Sequence, residues 1–421
     1  MRTGVNETMN PRPPPVEVKR LRWRDPPLAK IRLPGGTLRL TLGIGSGLSR
    51  AAGAPAGRIW GLGDRGPNLK IDTAVKDYGV TGLAALAGLP GAKLLPRPDL
   101  GPVLAELQVG ESRIELVRTL RLHDPAGRPV SGLAPPGGGE AAMEPVFDLE
   151  GRRLAPDPGG ADTEGVAALA DGGFWVAEEY GPSLMRVDAQ GVVRARWVPA
   201  GAGLAGTAYP QIPALPAIAA RRRMNRGFEA VAISPDQRWL FVCFQSALER
   251  PDGGAVAPFV RIWRLDAATG AVAGEHLYPF DPPASFGRDA EAGKVAIRDL
   301  KVCEIAALDG DRLLVLERIS RTTKIYRVDL SAPPVDPAWR APGTSPALEE
   351  LSTRARTTAG VPRLDKQLVF TTDRARKVAE GLEGMAVLSD HELVVSTDND
   401  FGVDGAQTRF YRLRFDRPLA D

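Results

Sequence analysis

The chain has 421 residues, 43% of them apolar and 25% charged, with 54 basic against 51 acidic side chains. That near-balance excludes the strong basic excess of a nucleic-acid binder, and no apolar run approaches the roughly 20 residues needed to cross a bilayer. Two cysteines, Cys243 and Cys303, both inside apolar runs, cannot build a disulfide framework, while 47 glycines and 38 prolines without a simple period signal many tight turns.

In chain order, residues 1–28 are basic and Pro-rich, lack the apolar centre of a signal peptide, and are expected to form a flexible arm. Residues 29–421 are expected to form one domain. A first strand unit opens with Gly45-Ser46-Gly47-Leu48 and continues in Arg58-Ile59-Trp60-Gly61-Leu62-Gly63-Asp64-Arg65. Another is expected over Val103 to Leu122, where two alternating strands flank Gly110-Glu111-Ser112. Four further segments align with one another. Each places a glutamate, Glu164, Glu229, Glu304 or Glu383, before a short apolar strand. A turn follows each, for example Asp171-Gly172-Gly173 and Asp309-Gly310-Asp311, and then a second strand that in three of the four reaches an acid: Glu178, Glu317 or Asp398. Strand, hairpin, strand, strand is the pattern of a propeller blade.

The glutamates recur at roughly 65 to 80 residues, longer than the ~40–50 of common propeller repeats, so the loops are long. The reading is an all-β chain, a β-propeller of about six blades with long inter-blade loops. One short inserted helix is expected over Ile212–Met224, where alanine and arginine favour helix and Arg221-Arg222-Arg223 would form its solvated end.

Two Gly-x-Gly-x-x-Gly matches, at Gly61–Gly66 and Gly201–Gly206, are followed by prolines rather than a helix whose N-terminus could face a pyrophosphate. No Gly-x-Ser-x-Gly elbow exists, and the three histidines, His123, His276 and His391, support neither a Ser-His-Asp triad nor a His-based zinc site. The repeated acids remain. The first strand of a propeller blade lines the channel, so Glu164, Glu229, Glu304 and Glu383 would converge on one axis. Four carboxylates held together repel unless protonated or bound to a cation. Oxygen ligands without Cys or His select Ca²⁺ or Mg²⁺. Asp64, Glu178, Glu317 and Asp398, at second-strand ends, join the candidate ligands. The competing reading is that each acid caps a strand or pairs with an arginine of a neighbouring blade, for which Arg65, Arg226 and Arg318 are available.

Trp60-Gly-Leu-Gly-Asp-Arg-Gly-Pro-Asn68, Asp162-Thr-Glu-Gly-Val166, Phe174-Trp-Val-Ala-Glu-Glu-Tyr-Gly-Pro182, Asn225-Arg-Gly-Phe-Glu-Ala-Val-Ala-Ile-Ser-Pro-Asp236, Leu316-Glu-Arg318 and Glu380-Gly-Leu-Glu-Gly-Met385 together resemble the phytase-like family, described as having esterase-like activity of phytase. The resemblance implies a β-propeller, Ca²⁺ dependence and a phosphoester or ester substrate. It also implies export to the periplasm or medium, whereas the absence of a visible signal peptide leaves the cytoplasm open. The Asp-Asp-Pro-Ala type motif of β-propeller phytases is not found here.

The resulting expectation is a Ca²⁺-dependent hydrolase, monomeric, acting on a small anionic or ester substrate. Glu229, Glu304 and Arg318 would be catalytic, and Arg65, Arg226 and Arg318 would hold the anion, because guanidinium grips phosphate in a fork. Two other readings stand beside it: a non-catalytic propeller that binds a ligand, and a lactonase-like propeller whose single metal is held by acids and an asparagine, Asn225 or Asn399.

Overall fold

The computed structural model describes residues 15–136, 143–203, 206–293, 295–341 and 343–421. Among these, five sheets of four or five strands account for the aligned repeats. Blade 1 consists of Gly47–Ser49, Arg58–Leu62, Val103–Val109 and Ile114–Arg121. Blade 2 runs Thr163–Ala168, Phe174–Glu178, Ser183–Val187 and Val193–Pro199, with Gln211–Leu215 added in parallel at its outer edge. Blade 3 is Phe228–Ile233, Trp239–Phe244, Phe259–Asp266 and Val272–Pro279; blade 4 is Lys301–Ala307, Arg312–Arg318, Thr323–Asp329 and Lys366–Thr371. Blade 5 takes Leu382–Ser389, Glu392–Thr397 and Phe410–Phe415. The first strand of each blade packs against the first strands of the two flanking blades, so the ring closes at five.

The chain is thus the β-propeller that the repeats predict. The count differs from about six because the segments around 45–64 and 103–122 are halves of one blade, separated by a long insertion between its second and third strands. That insertion carries the Ile71–Lys76 helix and strands at Leu69–Lys70 and Lys93–Leu94. The helix expected over Ile212–Met224 is replaced by the Gln211–Leu215 strand and a 3₁₀ turn at Ala217–Arg221. Pro213 and Pro216 each remove a backbone donor that a helix there would need.

Val16–Leu21 forms the outermost strand of blade 5, antiparallel to Phe410–Phe415, with Val16 opposite Phe415 and Leu21 opposite Phe410. This corrects the expected arm at its C-terminal half; residues 1–14 lie outside the described residues. Val16 and Val18 pack onto the core of blades 4 and 5, and Leu21 is buried against blade 1. No helix among the described residues is long and apolar enough to cross a membrane.

The recurrent Glu-Gly pair has a packing reason. A side chain at Gly165 would place its Cβ 2.8 Å from the Val231 amide nitrogen of blade 3. One at Gly384 would meet Leu48 of blade 1 at 2.7 Å. At Gly165 and Gly384 the inner strands approach too closely for a side chain, and the small Ala230 stands at the matching place in blade 3. Below this layer Leu48, Val166, Val231, Ile305 and Met385, one from each blade, line a small cavity of about 60 Å³ on the channel axis.

Because one sheet contains both the first and the last strands of the ring, deleting residues 1–21 should lower the calorimetric melting temperature by at least about 5 °C through loss of buried apolar side chains and six residues of strand pairing. An unchanged melting temperature would contradict the closure.

Candidate functional site

The strand ladder decides which acids face the channel. In blade 2, Thr163 pairs with Glu178 and Gly165 with Ala177, leaving Glu164 bulged out of the register. In blade 3 the bulged residue is Glu229, between Phe228 and Ala230. In blade 5 the irregularity spans Glu383 and Gly384. A bulge bends its strand and re-aims the extra side chain. In blade 4, however, the bulged residue is Cys303, and Glu304 sits in register opposite Leu316. Glu304 therefore occupies the small-residue layer, the place of Gly165 and Ala230. It is fully buried and accepts hydrogen bonds from Leu48 N of blade 1 at 3.0 Å and Ile305 N at 3.1 Å, and from the Met385 amide of blade 5. The expected catalytic Glu304 is a clamp between blades.

The same one-residue offset applies to the second strands. Leu62, Glu178, Phe244, Glu317 and Thr397 pair with Gly47, Thr163, Phe228, Val302 and Leu382 at the heads of the inner strands. The residues that follow them are Gly63, Glu179, Gln245, Arg318 and Asp398. Side chains alternate along a strand, so Glu178 and Glu317 point away from the group that follows. Glu178, fully buried, accepts from Tyr180 N at 2.8 Å, Gly181 N at 2.9 Å and Ser183 Oγ at 3.1 Å, and pairs with Arg196 at 2.9 Å. Glu317 accepts from Tyr278 Oη and Lys366 Nζ, both at 2.6 Å, and from Asp281 N at 2.9 Å. Both expected metal ligands have full complements of protein donors and serve the blades.

Glu179 has none. It is fully buried, and neither carboxylate oxygen has a hydrogen-bond partner among the described residues. Its oxygen, with one each from Asp162 and Glu164, falls within a group whose atoms all lie within 4.8 Å of one another. A second group with the same spacing joins Asp64 of blade 1 to Asp398 and Asp400 of blade 5. Oxygens about 2.3–2.6 Å from one calcium ion are separated by at most about 5 Å, so this spacing suits a single ion. Glu229, buried, leaves Oε2 without a partner. Glu179, Asp162 and Asp400 were absent from the expected ligand set.

The electrostatics follow from packing these acids together. Burial, then the neighbouring Glu229 and Asp162, pushes both Glu164 and Glu179 well above the usual carboxylate range. Burial followed by Asp162 and Asp400 does the same to Asp64, and burial with Asp64 and Asp400 to Asp398. Burial raises Asp162 to about 6, against the lowering effect of Arg65, and raises Glu229 to about 7, against that of Lys301.

The expected anion-binding arginines are mostly occupied. Arg65 Nη1 lies 2.8 Å from Glu144 and 3.4 Å from Asp162, with Tyr180 beneath its guanidinium. Arg318 pairs with Glu383 and donates to Cys303 Sγ at 3.0 Å. Arg226 is half-buried near Glu179, with Nη1 unpartnered. Asn399 is committed to Phe401 N and the Leu42 carbonyl, both at 3.0 Å. Asn225 holds φ +52° and leaves Oδ1 buried without a partner. Glu383, Asp398 and Asp400 instead open onto a cleft of about 620 Å³ that also carries Lys377 and Arg409, both exposed and neither paired with a carboxylate among the described residues.

A family model described as "Phytase-like: Esterase-like activity of phytase" matches residues 41–401. An "Uncharacterized secreted protein" of Arthroderma benhamiae is 29% identical over 234 residues, 48% of this chain and 42% of that protein, so the match spans less than half the relative's length. Among solved structures, the PQQ-bound aldose sugar dehydrogenase of Streptomyces coelicolor is 12% identical, covering 95% of this chain and 99% of that one at a TM-score of 0.33. The β-propeller domain of Cps50 (Swd1) from Myceliophteria thermophila, also 12% identical, covers 93% and 99% at 0.34. With the family model matching residues 41–401, well over half of the chain, the chain belongs to the phytase-like family.

Proposed function

We propose that the protein is a Ca²⁺-dependent hydrolase of phosphoesters. The observation that carries this reading is Glu179, a fully buried carboxylate with both oxygens unpartnered, set beside Asp162 and Glu164. A buried charge without a partner is costly, and an oxygen-only donor set suits a hard cation. Asp162, Glu164 and Glu179 would hold one ion, with Glu229 adjacent, and Asp64, Asp398 and Asp400 would hold another at the cleft. Calcium bound there would supply charge neutralisation at the phosphoryl oxygens and a more acidic water.

The chain's own residues do the rest. Lys377 and Arg409, which line the same cleft as the acids, bind the phosphoryl group, as free cations do for an anionic substrate. Arg318, fixed by Glu383 and Cys303, orients Glu383 toward the same cleft. Leu48, Val166 and Val231 make the narrow cavity below apolar, so a charged substrate would approach from the acid-lined mouth. Hydrolysis then forms a bond from water oxygen to phosphorus and breaks the phosphorus–alkoxy bond, and the alcohol leaves with a proton.

A panel of phosphomonoesters, assayed with calcium and with chelator, should show turnover that chelation abolishes. Lys377→Ala with Arg409→Ala should raise KM at least about tenfold, as expected for losing two charge-assisted contacts. No chelator-sensitive turnover on any member would reject the proposal.

The metal-free protein should also be sensitive to pH in a defined direction. Asp162 and Glu229 bind protons more tightly folded, at about 6 and about 7, than their ordinary values of 3.8 and 4.5. Stability from these groups is complete below their ordinary values and is lost as pH rises through the folded ones. In chelator the melting temperature should fall by a few degrees between about pH 5 and 8, and saturating calcium should remove most of that fall. A chelated melting temperature that rises over this window would contradict the acid cluster.

A further inference from the structure

Beside the ion-holding groups lies a separate cavity of about 490 Å³ whose walls include Leu133, Met143, Val146 and Leu154. All four are only half-buried, so they present apolar surface to the cavity rather than closing it. Among the described residues its charged walls are Arg153 and Glu144, and Glu144 is also the partner of Arg65, at 2.8 Å, and of Tyr180 Oη, at 3.0 Å. Arg65 in turn reaches Asp162 of the buried acid group at 3.4 Å. The Glu144–Arg65 ion pair therefore stands between the cavity and the acid group of the mouth.

The lip between them is apolar too. Six large apolar side chains are exposed among the described residues, and one of them, Met224, stands near Glu144. The Met224 Cε atom lies 3.8 Å, and the Glu144 Cγ atom 4.0 Å, from where a Cβ on Gly91 would stand, with exposed Leu89 two residues away. Met224 comes from the loop before blade 3 and Leu89 from the insertion in blade 1.

Resting on the phosphoester reading above, we infer that the alcohol portion of the substrate is apolar, an alkyl or aryl group seated in the Leu133/Met143/Val146/Leu154 cavity past the Met224 lip, while its phosphoryl group stays at the acid-lined mouth. A polyol leaving group would strand its hydroxyls against these four side chains, where they have few partners. An aryl group would bury apolar area of its own and of the wall, in a pocket of ordinary size for a small ligand.

The test uses 1-naphthylphosphonate and methylphosphonate, whose phosphorus–carbon bonds are not esters, so binding is read independently of turnover. Calorimetry on the calcium-loaded full chain should find the naphthyl compound bound at least about tenfold more tightly, from apolar burial. Met224→Gln, at an exposed site, and Leu154→Gln should each reduce that affinity ratio at least about threefold. Equal affinities, a ratio that neither substitution changes, or failure of the naphthyl compound to bind would overturn the inference. A preserved ratio alongside a phosphomonoester panel with no turnover would reject hydrolysis and leave the apolar subsite standing.

Discussion

The register between first and second strands is the constraint on which the site depends. In blades 2 to 5 the inner strand starts with a bulge or irregularity in its pairing, and on the second strand the residue after the partner at that head points the other way. A shift of one residue sends a side chain to the opposite face. This is why adjacent glutamates, Glu178 and Glu179, have opposite employment: the first is saturated by amides, a hydroxyl and Arg196, the second by nothing. It is also why Cys303 rather than Glu304 stands where the other blades put an acid.

That register produces an asymmetric mouth. Blades 1, 2 and 5 contribute Asp64, Asp162, Glu164, Glu179, Asp398 and Asp400. Blade 4 contributes cations at the corresponding paired positions, Lys301 opposite Arg318, where blade 2 has Asp162 bonded through its backbone to Glu179. Arg318 and burial together push Lys301 below its usual value, with Arg226 adding to the effect. A ring of uniform acids would be harder to fold, because like charges packed together repel. The glycines behind the acids allow this crowding, since Gly165 and Gly384 let neighbouring blades approach to backbone contact.

Much of this was legible in the sequence, and the limits are physical. The repeats, their turns and the Glu-small signature identified the propeller, because period-2 strands and Asp-Gly turns are local signals. The blade count was not legible, because the insertion after Gly63 separates two halves of one sheet. Helix propensity misled at Ile212–Met224, where two prolines and an open strand edge prevailed. Among the acids, Glu164, Glu229, Glu383, Asp64 and Asp398 were found by recurrence and do gather at the mouth. Glu178, Glu304 and Glu317 were misplaced by one residue, since a bulge leaves no mark in composition. Doubled or spaced acids, Glu178-Glu179 and Asp398-Asn399-Asp400, were the available clue to what was missed. Lys377 and Arg409 lie outside the repeat, so recurrence could not single them out.

The central claim is that Glu179, buried and unpartnered, and not the equally buried Glu178 beside it, is a cation ligand. Calorimetric titration of calcium into chelator-treated protein tests it on three chains: the unsubstituted protein, Glu179→Gln and Glu178→Gln. Calcium should bind the unsubstituted protein with release of protons, because the raised carboxyls must ionise to coordinate it. Glu179→Gln should weaken binding at least about tenfold, in line with losing a buried ligand, and keep its metal-free stability. Glu178→Gln should lower stability, through a broken buried ion pair, and retain calcium affinity once folded. Binding that is absent in the unsubstituted protein, or lost through Glu178 and untouched through Glu179, would contradict the account.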